Sequence, residues 1–354
     1  SPATSIMEYL ASKQREFGIV VEQAEDEISA VNMAIGAFFS GARAMTGTSG
    51  GGLALMVEGI SLAGMTETPL VIVDCQRPAP ATGLPTRTEQ ADLLFVTHCA
   101  HGEFPRAVFA PGNAQEAFHL IGKALYLAEK YQTPVFVLGD QVLNDSSWTT
   151  DPLVMDDLFN GAQSLVSEQK LTGMKPYEYA RYEITKSGIS PRLLPGTPGQ
   201  VVYADSDEHT VEGHITESAD VRLAMVDKRL RKLAGMRAEM AGPRIFPDAD
   251  AETYLVGWGS TLGAIDETVR GLREEGANWG YIHFSELYPL PEDPIPREIS
   301  RRARLIAVEN NALGQFCKLL RMETGLHIET MILKYDGRPF TPDELKERLE
   351  NEKG

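Results

Sequence analysis

Apolar positions along this chain follow two rhythms that alternate. "TSIMEYLASKQREFG" places Ile6, Met7 and Leu10 on one helical stripe, with Ser5 and Glu8 spaced as a capping box and Gly18 as the stop. "IVVEQ" follows as a β-rich run. "EDEISAVNMAIGAFFSGAR" then returns to helical period, with small residues at Ala30, Ala34, Gly36, Ala37 and Gly41 that let another backbone pack closely. "RAMTGT" reads as a strand and residues 51–65 as a helix. "PLVIVDC", "RAVFAP" and "PVFVLGD" are continuous apolar runs, as expected of strands covered on both faces, and Asn113 with Glu116 opens the helix between the last two. This alternation predicts a doubly wound, mostly parallel α/β sheet over residues 1–150.

Between residues 151 and 244 the period weakens and Pro and Gly thicken, as in "SGISPRLLPGTPGQ". That stretch reads as a long connecting segment packed on the first domain, with one basic helix in "DVRLAMVDKRLRKLAGM". Strand and helix patterns resume at "AETYLVGWGSTLGAIDETVRGLREEG", "WGYIHF", "RLIAVEN" and a helix over 312–324, which predicts a second, smaller α/β domain over 245–354.

At 354 residues and 43% apolar composition the chain can bury two cores of ordinary domain size. A net charge of -17 argues against nucleic acid and anionic membrane as partners. No run of about 18 apolar residues and no signal-peptide pattern is present, so a cytoplasmic location is expected. Cys75, Cys99 and Cys317 are too scattered for a disulfide framework or an iron-sulfur site. "THCAHGE" gathers His98, Cys99, His101 and Glu103, but at a spacing that matches no metal-site pattern.

The stretch "TSGGGLALMVEGISLAG" sets three glycines directly before a helix, a turn in which main-chain N–H groups can approach an anion or a flat ligand. It is neither G-x-G-x-x-G nor G-x-x-x-x-G-K-[ST], so neither nucleotide fingerprint applies.

Six further stretches carry a resemblance. "QAEDEISAVNMAIGAFFSGARAMTGTSGGG", "PATGLPTRTEQADLLF", "DEHTVEGHITESADVRLAMVDKRLRKL", "VGWGSTLGAI", "VENNALGQFCKLLRMETG" and "KYDGRPFTPDEL" together resemble, in collinear order, the alpha subunits of 2-oxoacid:ferredoxin oxidoreductases, most closely the 2-oxoglutarate type. The resemblance implies a thiamine diphosphate enzyme in which this chain supplies a pyrimidine-binding domain and a transketolase-C-like domain. The beta subunit would then hold magnesium, the cofactor's diphosphate and an iron-sulfur cluster, and the chain would be inactive alone. "GDQVLND" keeps only the first two letters of the G-D-G that opens a magnesium diphosphate motif, which argues against a self-sufficient transketolase-like enzyme.

Laid on the family's Q-x-x-S-E-A-G-A setting, "QAEDEISA" puts the cofactor-activating glutamate at Glu27, with Glu25 as the substitute; a carboxyl there would hydrogen-bond the far nitrogen of the pyrimidine ring. The residues alone, Glu22, Glu25, Asp26 and Glu27, read as a solvated acidic helix start that complements the helix dipole. The resemblance also places the 2-oxoacid carboxylate on Arg87 of "TGLPTRTEQ", with Arg77, Thr86 and Thr88 as competitors, and sets Thr48, Ser49 and Gly50 to Gly52 beside the pyrimidine ring. The family's Y-P-I-T-P motif would fall across the opening "SPATSIMEYL", with Ser1 in the threonine's place, and whether a further segment or a gamma-type domain precedes Ser1 stays open.

The reaction implied is coenzyme A-dependent oxidative decarboxylation of a 2-oxoacid. Pyruvate and branched-chain enzymes share that scheme, and a non-catalytic assembly subunit is the alternative of another class. Ferredoxins are usually acidic, so electrons are expected to leave through the beta subunit rather than from this acidic surface.

Overall fold

A computed structural model describes residues 3–156, 159, 164–247 and 250–352. Two five-stranded sheets organise it. The first runs β1 (Thr46–Thr48), β2 (Leu70–Gln76), β4 (Pro134–Asp140), β3 (Ala107–Phe109) and β8 (Glu286–Tyr288) in spatial order. The second runs β10 (Thr330–Leu333), β9 (Arg304–Glu309), β6 (Thr253–Trp258), β7 (Trp279–Phe284) and β5 (Arg244–Phe246). In each sheet four strands are parallel and one edge strand, β8 or β5, is antiparallel. The fold is therefore a doubly wound, mostly parallel α/β sheet followed by a smaller α/β unit, as the alternation predicts.

The faces of β2 and β4 explain the layering. Leu70, Ile72, Phe136 and Leu138 point into a core shared with Leu53, Met56 and Ile60 and with Trp258, Phe284 and Phe316 of the later chain. Val71, Val73, Val135 and Val137 point the other way, against Leu120, Leu127 and Tyr131 of the helix Ala114–Tyr131 and against Met236. These strand residues are almost entirely buried, each contributing about 1.5–3 kcal/mol. Asn113 caps that helix by accepting from the Glu116 amide at 2.9 Å.

Several expectations need correction. Residues 19–23 form no strand: they have no partner strand, and Val20 is 90% exposed. No capping box forms at Ser5 and Glu8; the helix Thr4–Ser12 begins after Ala3 without a side-chain cap and is followed by a separate helix, Gln14–Phe17, that stops on left-handed Gly18. The next helix spans Glu27–Phe39 and is capped by Asp26, whose carboxylate accepts from the Ser29 amide at 2.7 Å. The glycine-led helix breaks at Met56 into Gly50–Leu55 and Val57–Met65. Patterning also misses β5, β8 and β10, which are three or four residues long, and the helix Pro342–Asn351 capped by Thr341.

The connecting segment is held by polar cross-links rather than by a periodic apolar stripe. On its helix Ala219–Glu239, Lys228 and Lys232 are fully buried and both pair with buried Glu67. Arg181 donates to the Thr66 and Glu67 carbonyls at 3.3 and 2.7 Å.

Candidate functional site

The three glycines after β1 do three different things. A Cβ on Gly52 would lie 2.6 Å from Oε1 of Glu27 and would collide with the Thr48 hydroxyl, so the bare backbone there is what lets that carboxylate sit against the turn. A Cβ on Gly50 would lie 2.6 Å from a carboxylate oxygen of Asp92. Gly51, between them, is exposed, and the nearest atom to a Cβ there is the Ala81 carbonyl oxygen at 3.9 Å. Thr48 and Ser49 are buried beneath.

Glu27 is the first residue of its helix, half-buried, and among the described residues nothing hydrogen-bonds its carboxylate. Glu25 is exposed. The loop that follows β2 closes over the same end of the sheet: the Leu84 amide donates to the Pro78 carbonyl at 3.1 Å and the Arg87 amide to the Leu84 carbonyl at 3.2 Å. Thr86 and Arg87 are exposed, and Arg87 makes no ion pair among the described residues, Glu89 included. Thr88 is buried beside Asp140, whose carboxylate also accepts from the Ser260 hydroxyl and the Leu143 amide. Arg77 is half-buried near Asp92. Ser1 lies outside the described residues. Of the "THCAHGE" set, His98 is exposed with its ring against the Leu94 carbonyl, and Cys99 is buried against Arg106. Among the described residues no three metal-binding side chains come together.

One feature beneath the turn escapes the sequence reading. Asp74, in register with Thr48, is fully buried on the face shared with Asp92, and neither of its oxygens has another hydrogen-bond partner among the described residues. Two carboxyls can hydrogen-bond only when one keeps its proton. Burial first, then the Asp92 charge and hydrogen bond, raise Asp74 well above its ordinary 3.8, and burial pushes Asp92 up to about 6 against the opposing pull of Asp74's hydrogen bond and of Arg77. Half-buried Glu89 is pushed up to about 7, by burial and then by Asp92. The signal was an aspartate inside the otherwise apolar "LVIVDC".

A raised carboxyl means that the folded chain keeps a proton the unfolded chain has released. The pair's contribution is complete below the unfolded carboxyl range and falls as pH rises through about 6. An Asp74→Asn chain, whose amide donates to Asp92 without a proton to lose, is expected to show a flatter melting midpoint between about pH 5 and 8 than the parent. An unchanged slope would remove the shared proton; Glu89 adds the same background to both chains.

The turn, Glu27 and the Arg87 loop thus share the carboxyl end of a parallel sheet, where open α/β folds take their ligands. Residues 1–228 match the family described as pyruvate flavodoxin/ferredoxin oxidoreductase, thiamine diphosphate-binding, and residues 251–351 match pyruvate:ferredoxin oxidoreductase core domain II. The chain belongs to this family. It is 40% identical over 94% of its length to a 2-oxoacid:ferredoxin oxidoreductase alpha subunit of Sulfurisphaera tokodaii, covering 52% of that protein. It is 29% identical over 98% of its length to the 2-oxoglutarate synthase subunit KorA of Methanothermobacter thermautotrophicus, covering 90% of it. A solved 2-oxoglutarate:ferredoxin oxidoreductase from Magnetococcus marinus, with 2-oxoglutarate, coenzyme A and succinyl-CoA bound, superposes with a TM-score of 0.87 at 32% identity, over 99% of this chain and 60% of that one. The chain therefore spans about half the length of the archaeal alpha subunits at the 40% level of identity.

The matched family is a thiamine diphosphate-binding one, and the turn offers a polar, glycine-opened rim at which a cofactor could be held. A half-buried carboxylate with no hydrogen-bond partner among the described residues stands beside main chain at Gly52 where a Cβ would collide with it. Among the described residues no helix is long and apolar enough to cross a membrane.

Proposed function

We propose that this chain is the alpha subunit of a 2-oxoglutarate:ferredoxin oxidoreductase, which converts 2-oxoglutarate and coenzyme A to succinyl-CoA and CO2 and passes the electrons to ferredoxin. The observation that carries the reading is the Glu27 carboxylate held against Gly52 and Thr48 at the rim that also bears Arg87. Thiamine diphosphate, when bound, supplies an electron sink for cleaving the bond to the departing carboxylate. Glu27 would hold a proton at a nitrogen of the cofactor's pyrimidine ring, and Thr48, Ser49, Gly50 and Gly51 would receive that ring. Arg87 would present a planar guanidinium to the 2-oxoacid carboxylate, with exposed Thr86 beside it and Thr88 buried beneath the loop against Asp140. A beta subunit provides the magnesium, the diphosphate anchor and the iron-sulfur cluster, and ferredoxin docks there.

The choice of 2-oxoglutarate is supported by what the Methanothermobacter relative and the Magnetococcus structure are named for. The test is a complex reconstituted with its beta subunit and assayed on 2-oxoglutarate, pyruvate and branched-chain 2-oxoacids. The highest kcat/KM is expected for 2-oxoglutarate; a preference for pyruvate would move the proposal to the activity in the family's description. In the same complex an Arg87→Ala substitution is expected to raise the KM for the 2-oxoacid about 10- to 100-fold, the loss of one charge-assisted pair, while thiamine diphosphate binding is retained. Loss of cofactor binding would show that the loop does a different job.

A further inference from the structure

The loop bearing Arg87 has little of its own to hold it. Residues 79–87 are exposed, Ala81 and Gly83 sit at positive φ, and two main-chain hydrogen bonds close it internally. Immediately after Arg87 the chain turns inward; Thr88 lies beside Asp140 and the Asp92 amide donates to Gln76 at 3.0 Å, but the Thr88 and Gln90 amides are received by residues 251–351, Thr88 by the Gly337 carbonyl at 3.4 Å. The Gln90 amide donates to the Asn310 carbonyl at 2.7 Å, and the Asn310 amide returns a bond to Oε1 of Gln90 at 3.0 Å. Nε2 of Gln90 donates to the Trp258 carbonyl at 2.7 Å, so both ends of this buried side chain are used. Further along, Gln315 accepts from the Leu94 amide at 2.9 Å and donates to the Ala91 carbonyl at 2.6 Å.

The receiving side is itself rigid. Glu309, 1% exposed, accepts from the Trp258 indole and the Asn311 amide group, and from the backbone amides of Phe316 and Cys317 at 2.9 and 3.0 Å. Four donors, and no cation among the described residues, hold this buried carboxylate, which fixes the turn that carries Asn310. The Asn310 side chain donates to the Lys334 carbonyl at 2.8 Å, and this anchors the stretch that reaches Gly337. A Cβ on Gly337 would lie 3.2 Å from the Arg87 Cβ, so this stretch packs on the arginine's stem.

We infer that Gln90 is a positioning residue for the 2-oxoacid: through Asn310 and Trp258 it locks the Arg87 loop to the second α/β unit and so sets where the guanidinium meets the substrate. The inference rests on the reading of Arg87 as the carboxylate-binding residue. It gives the later third of the chain a part in substrate recognition, although none of its residues needs to touch substrate.

The test is a double-mutant cycle in the reconstituted complex, using Gln90→Ala, Arg87→Ala and the pair, with 2-oxoglutarate as the varied substrate. Gln90→Ala is expected to raise KM about ten- to a hundredfold with kcat within about twofold and thiamine diphosphate binding unchanged. The pair is expected to be no worse than Arg87→Ala alone, because a residue that acts through Arg87 has nothing left to position. Should Gln90→Ala fail to assemble, Gln90→Met keeps the side chain's bulk without its hydrogen bonds and carries the same expectation. Unchanged KM, a fall confined to kcat, or effects of the two substitutions that simply multiply would each overturn the inference while leaving Arg87 in place. An unchanged KM in Arg87→Ala would instead overturn the reading of the loop, and the inference with it.

Discussion

A Glu27→Gln substitution is expected to lower turnover of the assembled complex about 10²- to 10⁴-fold, the range ascribed to a positioned proton-transferring group. Glutamine fills the same space against Gly52 and Thr48, so the turn keeps its shape and the complex should still assemble and bind thiamine diphosphate. What is lost is a carboxyl able to hold a proton at a ring nitrogen. The check is steady-state turnover alongside calorimetric cofactor binding. Full turnover in the variant would leave Glu27 as an ordinary acidic residue in the first turn of a helix, where its charge merely complements the helix dipole.

The largest loss of stability is expected at Glu67. Its carboxylate receives Lys228 at 2.6 and 2.8 Å and also pairs with Lys232, and the surrounding positive charge of the two lysines and Arg181 holds it far below its ordinary 4.5 against the cost of burial. Burial pulls Lys228 down to about 7, with Glu67 opposing. A Glu67→Gln chain strands two lysines in the interior. The expected cost is about 3–5 kcal/mol, read as a fall of roughly 5–15 °C in melting midpoint. The penalty should shrink at alkaline pH, where buried lysines released from their counter-charge become neutral, and adding Lys228→Met should recover part of it. A Glu67→Gln chain that melts like the parent would show the cluster to be solvated.

These residues also mark how far the sequence was legible. The long apolar strands β2, β4, β6, β7 and β9 announce themselves, because burial on both faces demands uninterrupted apolar runs. The edge strands β5, β8 and β10 do not, since three or four residues carry no period and their pairing is decided by distant chain. "IVVEQ" has strand composition without a neighbour to pair with. The basic character of the helix does not say where its charges go: Lys228 and Lys232 are buried because Glu67, some 160 positions earlier, pairs with both.

At the rim, a row of three glycines signalled close approach but could not say of what. The answer, Glu27 at one end and Asp92 at the other, depends on two segments that fold in from either side. Gln90 stands at the end of "TGLPTRTEQ", but its partners Asn310 and Trp258 lie more than 160 positions away and come to it only in the fold.

β8 has a consequence for the integrity of the molecule. It follows β7 of the second sheet after a single residue, yet it pairs antiparallel with β3 of the first, where Val108 faces Tyr288 and Ala110 donates to the Ser285 carbonyl at 2.8 Å. The polypeptide is stitched: severing it between the sheets would strip the border from the first and leave open main-chain groups that invite adhesion between molecules. The two halves thus share a sheet border as well as a core.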